Sequence, residues 1–452
     1  MPLSNNPVIH VLPVEDSLSF IHEPSGPLAN KHVPGAKEYY PLNQPAIGSA
    51  FSSAIFAKNA KLPKLFTPLH IRDMEIKNRI WVSPMCQYSS PNGLATDWHL
   101  VHIGGFATRG AGLISMEATS VTANGRITPE DNGIWSDAHI APLKRIVDFV
   151  HSQGTKIGIQ LSHAGRKAST RAPWGKRDIK GNYLSGGEKG SDVATVEEGG
   201  WPDDVVAPSA IGFTPAYPEP NAMREEQVED LVKAFEAAAL RAKAAGFDFI
   251  ELHGAHGYLV HQFCSPLSNK RTDQWGGQSL ENRLRLPITI ATRVRAVWGF
   301  EKPIFYRVSG ADWAEGPEQD PATQEWLQWG PVQSTHLARA LHSTPEIAID
   351  LFDVSSGGLW AAQKIPVGPG YQVFLGEHIK KALPELLVTS VGAITDAKQA
   401  EEIVSVKGLD AVWLAREMLR HVDFPLKAAE ELGVVVKPAA QYERAWTRML
   451  KD

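Results

Sequence analysis

The stretch from Ile250 to Gly277, "IELHGAHGYLVHQFCSPLSNKRTDQWGG", sets two histidines three residues apart, His253 and His256, with Tyr258 two further on. That spacing suits a zinc ion, but zinc takes three or four ligands, usually with a carboxylate or thiolate among them. The third histidine on offer, His163 in "LSHAGRK", stands beside Arg166 and Lys167, and two cations disfavour a divalent ion. The same imidazoles suit a polarised carbonyl or an oxyanion, because two N–H donors converging on one oxygen stabilise developing negative charge. A phenol beyond such a pair can protonate the carbon next to the carbonyl, which is general acid catalysis at an activated double bond. Tyr258 also reads as a core tyrosine bonded to backbone, and spacing alone does not choose.

Residues of this kind need elements that bring them together. Eight short apolar runs ending in turn signals read as strands: 79–84, 113–119, 156–161, 247–253, 304–309, 351–356, 386–391 and 410–415. Helical patterns lie between them, clearest over 225–246, then 280–299 with an interruption at Pro287, and 396–408. Continuous apolar strands alternating with helices indicate a buried parallel sheet, and eight units favour closure into a (β/α)8 TIM barrel over an open sheet. No Gly-x-Gly-x-x-Gly follows the first strand, which weakens a dinucleotide-binding sheet. In a barrel the reactive groups sit at strand C-termini. Those ends carry Ser83 to Cys86, Glu117, Gln160, His163, the histidine pair, Arg307, Ser355, Ser356, Gly392 and Arg416. Glycine and arginine after the seventh and eighth strands suit a phosphate, and the Gln160 amide matches a pyrimidine-like edge. A phosphorylated aromatic cofactor fits this set better than a metal does.

The rest of the chain sets bounds. Its 452 residues are 43% apolar and 21% charged, with 45 basic residues against 50 acidic, so nothing calls for nucleic acid or an acidic membrane as partner. Two cysteines, Cys86 and Cys264, are too few for a disulfide framework or an iron–sulfur cluster. With no basic start before an apolar stretch and no spanning run, a cytoplasmic protein is expected. Residues 1–60, proline-rich and aperiodic, read as an N-terminal extension before a barrel over 61–452. The polar segment 169–210 reads as a lid over the mouth or as an idle surface insertion. Trp313, Trp326 and Trp329, in the acidic stretch 311–330, either face a pocket or anchor a loop.

Taken in order, "SPMCQYS", "QLSHAGRKA", "HGAHGYLVHQFCSPLSNKRTDQWGG" with "ENRLR", "RVSG", "VGAIT" and "LAREMLR" resemble the Old Yellow Enzyme family, flavin-dependent ene-reductases on a (β/α)8 barrel. Cys86 and the ending "QYERAW" resemble its thermophilic-like, bacterial-type class. The resemblance implies non-covalent FMN lined by Ser83, Pro84, Met85 and Cys86, with Cys86 near the reactive N5 edge. It places Ala118 and Gln160 at the pyrimidine side and Arg307 near N1. Gly392, Ala415 and Arg416 fall at the phosphate, with Gly357 and Gly358 as companions. His253 and His256 then bind the carbonyl or nitro oxygen of an activated alkene, Tyr258 donates the proton, and Tyr88 contacts substrate. Arg444 matches an arginine inserted into a neighbouring subunit's site, so a homo-oligomer, dimer or tetramer, is implied. NADPH or NADH reduces FMN and leaves before the alkene takes hydride at its β-carbon. Two alternatives stand beside this: an iron–sulfur-free relative of the flavin barrels that act on dienoyl-CoA compounds or amines, and a metal-dependent hydrolase using His163, His253 and His256.

Overall fold

The structure is a computed structural model that describes residues 45–175 and 192–451. Residues 1–44 of the expected extension and 176–191 of the expected lid lie outside the described residues. Eight parallel strands close into a barrel: β1 Ile80–Val82, β2 Leu113–Ser120, β3 Lys156–Ser162, β4 Phe249–Gly254, β5 Ile304–Ser309, β6 Leu351–Ser355, β7 Leu387–Ser390 and β8 Ala411–Leu414. Each expected strand is present within a few residues of its expected bounds. The outer ring is formed by α1 Asp97–Ala107, α2 Ile140–Ser152, α3 Glu225–Ala245, α4 Leu280–Trp298, α5 Pro331–Ser343, α6 Val373–Ala382, α7 Ala397–Ser405 and α8 Phe424–Glu431.

Local sequence accounts for the helix ends. Asp396 caps α7 by accepting from the amides of Lys398 and Gln399. Gly246 ends α3 at φ +91°, the left-handed turn that glycine takes without a Cβ penalty. The interruption expected at Pro287 does not occur: α4 runs through it. Leu284 and Leu286 before it and Ile290, Ala291 and Val294 after it are all buried, so packing holds the helix across the one lost backbone bond.

The strands build the lumen in layers two residues apart, since alternate side chains face inward. The lowest layer is apolar: Phe249, Phe305, Leu351 and Ala411 pack with Trp81 and Leu113 against Ile71, Met74 and Ile76 of a hairpin that plugs the barrel floor. One step higher, Gln160, Glu251, Arg307 and Asp353 are polar and buried. At the top stand Ser83, His253, Ser309 and Ser355. Ile250, Leu252, Tyr306 and Val354, at the intervening positions, belong to the separate core shared with the helices. Polarity therefore rises along the strands toward their C-terminal ends.

Below the barrel, Phe51 and Gly48 donate backbone bonds to Val435 and Lys437, so the chain before β1 is tied to the segment after α8. The turn holding Tyr442 reaches the same side, where Arg109, just past the C-terminal end of α1, lies 4.7 Å from the Tyr442 ring centroid.

Candidate active site

The strand C-termini open into a cleft of about 420 Å³ walled by Ser83, Pro84, His256, Arg307, Gly392, Ala415 and Arg416. Those seven residues, expected at one site from scattered motifs, therefore face one space. Ser355, Tyr371 and Gln372 share the wall and were not expected there as binding residues. The only hint of Tyr371 and Gln372 is their place in the loop after β6.

His253 is the penultimate residue of β4 and His256 stands on the turn beyond it, the ring centroids 5.2 Å apart. Tyr258 completes the group, 5.2 Å from the His253 ring. The turn is held from several sides. His256 adopts φ +60°, costly for a residue with a Cβ, and its amide donates to Ser309 Oγ at 2.9 Å. Lys167 Nζ donates to the His256 carbonyl at 2.9 Å and also to that of Gly358. The Gly257 amide donates to His261 Nδ1 at 3.0 Å, and His261 Nε2 lies 3.0 Å from Asp312 Oδ1. Gln262 Nε2 donates to the Gly257 carbonyl at 2.7 Å.

Burial sets the protonation states here. It pushes both histidines well below their ordinary range, with help from nearby Arg307 and Lys167, so the imidazoles are neutral. It pushes the Tyr258 phenol well above its ordinary value, reinforced by Cys86 and Tyr88. Lys167 is lowered to about 7 by burial and by Arg166. His256 Nε2 pairs with Ser355 Oγ at 2.7 Å, whereas His253 Nδ1 is buried without a partner among the described residues. His163 does not join the pair: its Nδ1 accepts from the Gly165 amide at 3.0 Å, which fixes its own turn.

Cys86 and Tyr88 follow β1. A bulge shifts the β2–β3 register between Met116 and Ala118, and Glu117 accepts from the Gln87 amide at 2.9 Å while lying 3.4 Å from His99 Nε2. Burial, with Asp131 and Glu117 nearby, raises the Cys86 thiol, so it stays protonated. Tyr88 sits at φ +48°, its ring edge-on to Trp174 at 5.4 Å, which brings the start of the 169–210 insertion to the mouth. Cys86, Gln87, Trp98 and Trp174 line a second cleft of about 410 Å³. Trp329 proves to be a loop anchor, fully buried with its indole donating to the Ser309 carbonyl at 2.7 Å.

Arg307 lies in the lumen beneath the cleft, paired with Asp353 and donating to Ser83 Oγ at 2.9 Å. Gln160 Nε2 donates to Glu251 at 2.6 Å. At the other end of the cleft, Gly392 takes φ +122° and Ala393 φ +49°, and neither amide has an acceptor among the described residues. Arg416 is exposed beside them. Gly357 and Gly358 behave differently from their expected role. Their amides donate to the Ala311 carbonyl and to Gln363 Oε1, and Gly358 instead gives the His256–Gly257 backbone room to cross. Met85 and Ala118 flank the β1 and β2 ends without lining the main cleft. Arg444 is exposed in the turn Ala440–Ala445, on the barrel side away from the mouth of its own chain.

Residues 64–434 match the NADH:flavin oxidoreductase / NADH oxidase family. The chain belongs to this family. An NADH:flavin oxidoreductase of Gibberella zeae is 45% identical over 90% of this chain and 94% of its own. The NADPH dehydrogenases of Halalkalibacterium halodurans and Bacillus subtilis are 42% and 41% identical, each over 85% of this chain and 99% of theirs. Among solved structures, morphinone reductase superposes with a TM-score of 0.62 at 25% identity, covering 83% of this chain and 91% of that one. A 2-naphthoyl-CoA reductase superposes with a TM-score of 0.68 at 22% identity, sharing the fold; this chain spans 55% of it.

The Old Yellow Enzyme resemblance is thereby borne out, and the flavin oxidoreductase uses FMN with NAD(P)H as hydride donor. Its cleft suits that cofactor: two free amides and Arg416 at one end suit a phosphate, and Arg307 suits a ring system that gains negative charge on reduction. The hydrolase alternative falls with the family, and among the described residues no cluster of three or more His, Cys, Asp or Glu is arranged to hold a metal. Among the described residues no helix is long and apolar enough to cross a membrane.

Proposed function

We propose that the protein is an ene-reductase acting on alkenes activated by a carbonyl or nitro group: enones, enals, maleimides and nitroalkenes. The observation that carries this reading is the pair of neutral imidazoles, His253 and His256, beside a phenol that burial keeps protonated. Ser83 to Cys86, Ala118, Gln160 and Arg307 would hold FMN, with Gly392, Ala415 and Arg416 available to its phosphate, and the bound cofactor would supply hydride taken from NAD(P)H. His253 Nδ1, unpartnered among the described residues, supports the reading that the pair receives an outside oxygen. Neutral imidazoles donate to that oxygen without neutralising it, so the stabilisation grows as the enolate forms and the β-carbon accepts hydride. Tyr258 then places a proton on the α-carbon.

Tyr88, edge-on to Trp174 at the mouth, is placed to contact the substrate. Arg444 cannot serve the mouth of its own chain from the far side of the barrel, so its contribution to a site needs a second copy, and a homo-oligomer is proposed. The test is the double variant His253→Ala, His256→Ala. Two lost neutral hydrogen bonds, each about 0.5–1.5 kcal/mol, weaken a phenolic ligand by about five- to 150-fold while FMN stays bound. Unchanged phenol affinity would reject the oxygen-binding role. Anaerobic reoxidation of the NADPH-reduced enzyme by cyclic enones, maleimides and nitroalkenes defines the substrate class.

A further inference from the structure

Two carboxyl groups share one guanidinium inside the barrel. Arg307 is paired through two nitrogens with Asp353, and its Nε lies 3.8 Å from Glu251 Oε2. Glu251 Oε2 already accepts from Gln160 Nε2 at 2.6 Å. Glu251 Oε1 is buried and receives no donor among the described residues, while Glu251 and Asp353 converge on the same guanidinium. Two ionised carboxylates on one guanidinium repel each other, and a bond between them requires a proton.

Charge counting gives the same answer. Both side chains are fully buried, and fully ionised they leave one uncompensated negative charge in the lumen, a state that is strongly disfavoured. One proton makes Oε1 a donor, removes the orphan acceptor and neutralises the cluster. The groups facing Glu251 are Arg307 from β5, Asp353 from β6 and the neutral Gln160 amide from β3. Thr389 of β7 adds a hydroxyl 3.5 Å from Asp353 Oδ1, and His253 higher on β4 is neutral. Burial, then repulsion by Asp353, raises Glu251 against the pull of Arg307.

We propose that Glu251 and Asp353 hold one proton between them at neutral pH, with Glu251 donating to Asp353, and that this proton sets the charge Arg307 presents to the flavin site. The second half rests on FMN occupying the cleft above Arg307. Glu251 is on this account a positioning residue that acts through Arg307. Loss of the proton faces the guanidinium with two negative charges and makes the cleft floor less favourable to a flavin that gains negative charge on reduction.

The test is infrared spectroscopy of the holoenzyme in H2O and D2O at neutral pH, for wild type, Glu251→Gln and Asp353→Asn. Wild type shows a deuterium-sensitive protonated-carboxyl band that Glu251→Gln lacks. Asp353→Asn also lacks it, because Glu251 then ionises to pair with Arg307. Any band from Asp131 or Glu117, both raised by burial, is common to all three, so the difference spectrum is the readout. The midpoint potential, followed from mildly acidic to alkaline pH, falls more steeply in wild type than in Glu251→Gln once the band titrates away. Should the variants not fold, carbon-13 NMR of carboxyl-labelled glutamate in wild type reads the same proton. A protonated signal assigned to Glu251, as distinct from Glu117, whose carboxyl burial also raises, supports the proposal, and an ionised Glu251 overturns it. Coincident wild-type and Glu251→Gln spectra overturn the shared proton, and equal pH profiles of potential overturn its link to the cofactor. A protein that shows the band but binds no flavin overturns the FMN reading alone.

Discussion

Substituting Gly257 by alanine tests whether the turn that carries His256 depends on a backbone crossing. Gly257 sits at φ +71°, and a Cβ there meets the Gly358 carbonyl oxygen at 2.2 Å, its carbon at 2.6 Å and Leu359 Cα at 2.7 Å. All three are backbone atoms and cannot rotate away. Gly408 is the internal control: φ +78°, with nothing within 4 Å of its Cβ position. The left-handed conformation costs alanine about 1–2 kcal/mol at either site. Only Gly257→Ala adds overpacking, about 1–3 kcal/mol, for a total of about 2–5 kcal/mol against about 1–2 kcal/mol for Gly408→Ala. The damage is also local. Lys167 bridges the His256 and Gly358 carbonyls at this crossing, so parting the two loops stretches the contacts that hold the His256 backbone. The assay pairs urea denaturation of both holoenzymes with titration of a phenolic ligand. Gly257→Ala has the lower urea midpoint and binds phenol at least about tenfold more weakly, a loss of about 1.4 kcal/mol, whereas Gly408→Ala keeps wild-type affinity. Equal midpoints and equal affinities for the two variants would refute the reasoning, because the strain common to both would then be the whole effect.

Tyr258→Phe leaves reduction by NADPH intact and slows alkene reduction by about 10²-fold, the lower range for loss of a general acid; stopped-flow measurement of the two half-reactions checks this, and an unchanged alkene step assigns the proton to another donor. Asp248 accepts from the Ile157 amide at 2.9 Å and pairs with His151 at 2.7 Å and Lys156 at 3.1 Å. Burial opposes its charge, but those partners together hold its carboxyl below the ordinary value of 3.8. A depressed carboxyl contributes stability that is present above its unfolded value and lost as pH falls through the folded one. Asp248→Asn therefore lowers the urea midpoint at pH 7, by about 1–2 kcal/mol in stability, and matches wild type in strong acid. Arg444→Ala changes steady-state kinetics in the oligomer with no change in FMN content; a dilution series by analytical ultracentrifugation and activity checks it, and a monomer with full activity removes the role.

How much of this was legible before the structure depended on what each signal reports. Strands buried on both faces are written as unbroken apolar runs, so all eight could be counted, and the barrel rule then turned strand ends into a list of candidates. Pro287 misled because the missing amide is a local fact, while the packing that carries α4 across it depends on the surrounding barrel. Gly357 and Gly358 misled in a related way. A glycine pair at a strand end reads as room for a phosphate, but here the room is taken by the His256–Gly257 backbone. No single-sequence pattern distinguishes the two uses, since the crossing joins residues about a hundred positions apart.

Glu251 and Asp353 were legible and passed over. A carboxylate in the middle of an apolar strand, as in "FIELH" and "LFDVS", is expensive unless it is paired, so each announces a partner in the lumen. With alternate residues facing inward, Glu251 stands one layer below His253, Asp353 one layer below Ser355, and Arg307 one layer below Ser309. The same alternation that delivers a histidine and two hydroxyls to the mouth therefore places two acids and one base directly beneath it. The chemistry above needs neutral imidazoles and a protonated phenol, and burial at the strand ends reinforces both states. The layer below is buried completely and does not tolerate an unbalanced charge. The two acids and one base beneath the histidine pair therefore reach a net charge of zero when one carboxyl holds a proton.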